Sequence, residues 1–197
     1  TASAGDPARR TSPGLRRIIH HHFSGCPAMY ARLKVFDERA TNSLRMAERS
    51  PFIHFVSAIL AHSGDSWFWL IGLGLLWQWG GPTWRPRVIA MLIGIAVTAL
   101  VVLIIKLAVR RRRPEGKWGR IYRSTDPHSF PSGHAARAAM LAVLGMGMGP
   151  LWLALLLTAW APLVGLARVI MGVHYLSDVA AGMVLGLFLG AMLLALV

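Results

Sequence analysis

The chain has 197 residues, of which 55% are apolar and 15% charged, with a mean hydropathy of +0.51; that is too apolar for an ordinary water-soluble domain of this size. With 21 Lys+Arg against 8 Asp+Glu it should attract anions, and because the basic residues interleave with long apolar runs, a phosphate or acidic lipid head group fits better than nucleic acid. One cysteine, Cys26, excludes an internal disulfide and a thiolate metal cluster. Residues 1–27 carry Gly5, Pro7, Pro13 and Gly14 among scattered charges and read as a flexible basic tail. His20, His21 and His22 lie in it without the spacing of a stable metal site. Residues 28–50 place Met29, Leu33, Phe36, Ala40, Leu44 and Ala47 three or four apart between basic residues, which predicts an amphipathic helix lying on a membrane surface; a solvated helix is the plainer alternative.

Residues 51–197 are expected to form the membrane domain. Pro51 opens an apolar segment to Ala61, Trp67–Gly80 follows, and the two together make one span bent or broken near Gly64. A hydrocarbon core about 30 Å thick needs ~20 helical residues, and Val88–Val109, Ala135–Met148, Leu151–Val169 and Tyr175–Val197 approach that length with their flanks. The prediction is an all-α polytopic bundle of about five transmembrane helices, preceded by the interfacial helix. Trp67, Trp69, Trp77, Trp79, Trp84 and Trp118 fall near the span ends, where an indole keeps its N–H wet. Gly182, Gly186 and Gly190 recur every four residues and suit close helix contact.

Alternation of the spans brings three polar groups to one membrane face: Lys106–Arg113, Ser132–His134 and Arg168–Asp178. Lys106, Arg113 and Arg168 match phosphoryl oxygens with a point charge and planar guanidinium forks. For Arg110, Arg111 and Arg112 an interfacial stop signal that binds lipid head groups is the stronger reading, and Lys106 can also snorkel. Ser132 can cap the helix that follows, while Gly133 leaves backbone N–H groups open to an anion. His174 and Asp178, four apart, share a helix face; the carboxylate can hold one ring nitrogen protonated and leave the other as a nucleophile, although a structural His–Asp pair has the same spacing. Glu115, Asp126 and Asp178 are the only carboxylates near the site, too few for a pair of divalent ions, so the chemistry is expected to need no metal and no cofactor. His54, His62 and Asp65 lie toward the same face and can touch the entrance; His128 is given no role.

In order and spacing these residues resemble the type 2 phosphatidic acid phosphatase superfamily, whose signature runs K-x6-R-P, P-S-G-H and S-R-x5-H-x3-D. Here the three parts are Lys106 to Arg113-Pro114, Pro131-Ser132-Gly133-His134, and Ala167-Arg168 through His174 to Asp178, so the resemblance covers residues 106–190. Ala167 stands where the family usually has Ser, which removes one hydroxyl donor. The resemblance implies that His174 attacks phosphorus and becomes a phosphohistidine, that Asp178 orients His174, and that His134 protonates the leaving oxygen and then activates water. It also implies that Lys106, Arg113, Ser132, Gly133 and Arg168 hold the phosphate. A membrane lipid phosphate phosphatase is expected, acting on a phosphomonoester of the phosphatidic acid, phosphatidylglycerol phosphate or polyprenyl phosphate type. An outward-facing polyprenyl diphosphate phosphatase is the alternative, and a non-catalytic lipid-binding protein a third reading. The vanadate-dependent haloperoxidases share the pocket but are soluble.

No secretory leader is visible, and nineteen of the 21 basic residues fall on the active-site face against Arg85 and Arg87 on the other. The positive-inside tendency then places the site on the cytoplasmic face of a bacterial inner membrane. The oligomeric state is left open.

Overall fold

The computed structural model describes residues 25–45, 50–115 and 126–196. Residues 1–24 and 116–125, including the histidine run and Trp118, and residues 46–49 at the end of the predicted interfacial helix, lie outside the described residues. The chain divides into two units, residues 1–38 and 39–197. The seven helices described are α1 (Gly25–Arg45), α2 (Pro51–Ser63), α3 (Ser66–Trp79), α4 (Arg85–Val109), α5 (Gly133–Met148), α6 (Leu151–Ile170) and α7 (Leu176–Leu196), with a single 3-10 turn at Pro82–Trp84. Among the described residues the only extended pairing is an isolated bridge between Arg112 and His128.

Three segments, Pro82–Val109, Leu151–Ile170 and Leu176–Leu196, are long and apolar enough to cross a membrane by themselves. Their outer faces carry exposed side chains such as Leu103, Ile104, Leu155 and Phe188; this surface is matched to lipid tails and would be unfavourable against water. At one end of the bundle Trp77, Trp79, Trp84 and Trp152 are exposed or half-buried, with Arg85 stacked 5.5 Å above Trp77 and Arg87 5.1 Å above Trp84, as suits an interfacial belt. Trp69 differs from the expectation. Its ring packs against Trp160 at 5.1 Å and its indole N–H donates to Ser63 O at 3.0 Å, so the N–H is satisfied within the protein rather than by water.

The break expected near Gly64 is present, since α2 ends at Ser63 and α3 begins at Ser66. Asp65, just before α3, bonds His134 in the first turn of α5, and Arg87, in the first turn of α4, donates to Met148 O at the other end of α5. α2 lies against the final turns of α6, with Ala61 packed on Ala167, Met171 and Val173.

α5 is the central helix. Alanines and Met140, Leu141 and Leu144 bury it on all sides against α4, α6 and α7. α7 lies close enough that a Cβ on Gly182 would come 2.5 Å from Ser132 O, one on Gly190 2.7 Å from Val143 Cβ, and one on Gly186 would collide with Ala136 O. The glycine stripe read from the sequence is thus the contact surface of two backbones. Its consequence is positional, because it sets the start of α7 beside the start of α5, where Ser132 N donates to Asp178 O at 2.9 Å.

Candidate active site

Four pieces of chain meet at this end of the bundle. α4 stops because Arg110 takes a left-handed backbone (φ 50°, ψ 35°) and closes the last turn through its N–H to Lys106 O at 2.9 Å; a single residue in this region turns the chain sharply. Residues 111–114 then run alongside 128–129, joined by Ser129 N to Arg111 O at 2.8 Å. α6 passes into α7 through a tight reversal at Gly172 (φ 65°), where Gly172 N bonds Val169 O at 2.9 Å and Val173 N bonds Arg168 O at 3.2 Å. That reversal puts His174 beside Arg168.

These pieces enclose a cavity of about 570 Å³. Its polar part is formed by Lys106, Arg113, Gly133, His134, Arg168 and His174, six of the eight residues singled out from the sequence, and one wall is the apolar face of α4 at Ala99, Val102 and Leu103. Ser132 and Asp178 are wholly buried behind the wall. Ser132 caps α5 through a long contact, 3.5 Å from Ala135 N to its hydroxyl. Ala167 packs in the apolar cluster against α2, so its methyl does not face the cavity.

His174 is 1% exposed. Its Nδ1 lies 2.8 Å from Ser129 O, and since a carbonyl only accepts, Nδ1 carries the proton and Nε2 the lone pair. Nε2 lies 3.3 Å from Arg113 Nη1, which also donates to Val173 O at 2.9 Å. Burial holds the His174 pKa well below the usual imidazole value, helped by the charges of Arg168, Arg113 and Lys106 and opposed by the Ser129 bond. The ring is therefore neutral. The carboxylate expected to orient it stands further off: Asp178 Oδ2 is 3.7 Å from Nδ1, beyond hydrogen-bond distance. The Ser129 carbonyl takes that position, and Asp178 instead accepts from Arg111 Nη1 at 2.7 Å and Tyr175 N at 2.9 Å.

Arg111 departs from its sequence reading for the same reason. It is an internal strut, bonded to Ser177 Oγ at 2.7 Å as well as to Asp178, with its guanidinium 4.0 Å from the Tyr175 ring centroid. Of three further residues of the site, the sequence reading put Asp65 no nearer than the entrance and gave Asp126 and Arg137 no role. Asp126 accepts from Lys106 Nζ and from Arg113 Nη2 (2.7 Å), and its backbone O accepts from Arg113 Nε at 2.7 Å. Burial alone would raise its pKa, but Lys106 and Arg113 more than offset that and keep it ionised. Asp65 bonds His134 Nε2 at 2.6 Å. Arg137, one turn along α5 from His134, is buried at the cavity wall and donates to Gly64 O; an arginine within an apolar helix was its only signal.

The arrangement presents a neutral imidazole with three cations about it and a second histidine in one space, which suits transfer of a phosphoryl group. Comparison with known proteins agrees. The PAP2 superfamily pattern matches residues 87–197. Over 136 residues the chain is 37% identical to the decaprenylphosphoryl-5-phosphoribose phosphatase of Mycobacterium tuberculosis, covering 67% of this chain and 73% of that protein. The crystal structure of the PAP2-type phosphatidylglycerolphosphate phosphatase of Bacillus subtilis superposes with a TM-score of 0.69 at 24% identity, covering 84% of this chain and 86% of that one. Aquifex aeolicus LpxE superposes with a TM-score of 0.64 at 22% identity, covering 78% and 93%. With the family pattern extending from α4 to the end of the chain and the helical bundle shared with both crystal structures, this chain belongs to the PAP2 superfamily, in its membrane-bound branch of lipid phosphate phosphatases.

Proposed function

We propose that the phosphomonoester of the lipid is cleaved in line by His174 Nε2. A phosphohistidine forms as the bond to the lipid oxygen breaks, His134 donates a proton to that oxygen, and a water molecule then attacks phosphorus while giving its proton back to His134. Lys106, Arg113 and Arg168 balance charge on the equatorial oxygens, with Gly133 N–H at the α5 start and Ser132 shaping the turn. Asp178 acts on the nucleophile indirectly, by fixing Arg111 and the first turn of α7. The reading is carried by one observation: the Ser129 bond fixes the His174 tautomer whose lone pair lies beside Arg113. Its test is to quench the protein with labelled substrate in alkaline detergent and look for phosphohistidine, which survives alkali and is lost in acid. The label should be present in the wild-type protein and absent from His174→Ala, with turnover down by about 10³-fold or more; unchanged phosphate release by His174→Ala overturns the assignment.

The substrate class proposed is a polyprenyl-linked sugar phosphate. Its support is the likeness to a phosphatase named for such a lipid, together with a cavity that has a cationic floor and an apolar α4 wall where an isoprenoid chain can lie. Phosphate release from a panel of polyprenyl sugar phosphates, phosphatidic acid and phosphatidylglycerol phosphate decides it; a higher kcat/KM for a glycerolipid rules the polyprenyl class out. The site is proposed to face the cytoplasm, on the excess of basic residues at its end of the bundle. With Cys26 removed, an impermeant thiol reagent on intact cells should label Pro82→Cys and spare Glu115→Cys. The reverse pattern favours an outward-facing polyprenyl phosphatase.

A further inference from the structure

His134 is held from a part of the chain that precedes the family signature. Its Nε2 lies 2.6 Å from Asp65 Oδ1, and the other oxygen of that carboxylate is 3.0 Å from His62 Nδ1. Asp65 sits in the link between α2 and α3, and the link itself is tied down: Arg137 Nη1 donates to Gly64 O, Trp69 Nε1 to Ser63 O (3.0 Å) and Trp160 Nε1 to Ser63 Oγ (2.8 Å). A Cβ on Gly64 would stand 3.1 Å from His134 Cδ2, so the absence of a side chain there lets the link lie against the ring.

The carboxylate is an acceptor only, so Nε2 bears a proton and Nδ1 is the nitrogen whose proton can be exchanged with substrate. When Nδ1 is also protonated the ring carries a positive charge in a strongly cationic setting. Burial of the ring opposes that charge first, then Arg168 of α6 and Arg137 of α5, while Lys106 of α4, Arg113, Asp126 and His174 line the same cavity, with His62 behind Asp65. Asp65 supplies the compensating negative charge in direct contact, and His62 holds it in place.

We propose that Asp65 is a positioning residue for the general acid–base His134, fixed in turn by His62, and that it lowers the cost of the imidazolium form through which His134 passes a proton to the lipid oxygen. The proposal rests on the acid–base role given to His134 above. Asp65 touches neither substrate nor phosphorus. It acts through the tautomer and charge of the ring, as the buried carboxylate does in a Ser-His-Asp triad.

The test uses the full chain in detergent micelles and measures phosphoenzyme formation by rapid quench with two substrates, a short-chain alkyl phosphate and p-nitrophenyl phosphate. An alkoxide needs a proton to depart, whereas nitrophenolate does not. Asp65→Asn should slow the reaction of the alkyl ester by about 100-fold and that of the aryl ester by less than about tenfold. The alkaline limb of the alkyl rate should move to lower pH, because loss of the carboxylate weakens proton binding by His134, and Asp65→Glu should recover part of the rate. Equal losses with both esters, or an alkaline limb that does not move, overturn the proposal. His62→Gln, which perturbs the same carboxylate more gently, should show a smaller loss with the same preference for the alkyl ester, and serves if Asp65→Asn does not fold. His134→Ala separates the two readings. If it leaves the alkyl rate intact, the acid–base role of His134 fails; if it abolishes that rate while Asp65→Asn is normal, only the role of Asp65 fails.

Discussion

His174 lies neutral under three cations, and the balance has a sign that can be measured. Its pKa is depressed in the folded protein, while an unfolded chain takes up a proton near pH 6.5. The folded state therefore loses stability as pH falls below about 6.5, and His174→Asn should flatten the fall in melting temperature between pH 7.5 and 5. By the same argument the acid limb of kcat/KM should lie below the ordinary imidazole value. Arg111 gives a second prediction. Arg111→Gln leaves the wholly buried Asp178 without its charged partner and should cost about 3 kcal/mol or more of stability, whereas Arg110→Gln, at an exposed position, should be close to neutral. Thermal melts in detergent compare the two. In the sequence Arg110, Arg111 and Arg112 look alike. They differ because the left-handed turn at Arg110 sends successive side chains in different directions, and no periodicity encodes that. Lys106, Arg113, His134, Arg168 and His174 were legible because chemistry and spacing point the same way. Asp65 and Asp126 were seen only as carboxylates near the face, since their partners come from other parts of the fold.

Among the elements, α4 to α7 follow the apolar runs within a few residues, because a run of about 20 apolar residues between polar ends has little choice in a bilayer. The glycines of α7 were legible for a related reason: small residues four apart mark a face. The separation of α2 from α3 was only half visible. Gly64 announced a break, but where the link is held depends on the bond from Asp65 to His134, which joins distant residues. The glycine stripe carries its own prediction. Gly186→Val must push α7 away from Ala136 O, which displaces the start of α7 and with it His174; loss of turnover should come with a cost in stability of about 2 kcal/mol or more. Full activity with an unchanged melting temperature would show that the contact is looser than described.

For the molecule as a whole, charge and lipid exposure divide the work. The sides of the bundle offer exposed apolar surface at Leu103, Leu155 and Phe188, so a lipid can stay in the hydrocarbon with its chain while its phosphate reaches the cations at one end. Because Lys106, Arg113 and Arg168 are covalently part of the chain, the charge needed for phosphoryl transfer is present without a dissociable ion. Turnover should be unchanged, within about twofold, after treatment with a chelator, and an absolute divalent-ion requirement at the phosphoenzyme step would contradict that.

The pairing of Asp126 with Lys106 and Arg113 bears on how the catalytic cycle ends. Inorganic phosphate, once formed, is a small dianion among three fixed positive charges and has every electrostatic reason to stay. A carboxylate on the adjoining loop that can retake two of those charges lowers the free energy of the vacated site, so product departure becomes an exchange of one anion for another. Asp126→Asn removes the competitor. Phosphate should then inhibit about tenfold more strongly, and the first turnover should become faster than those that follow, visible as a burst of released alcohol in a stopped-flow trace.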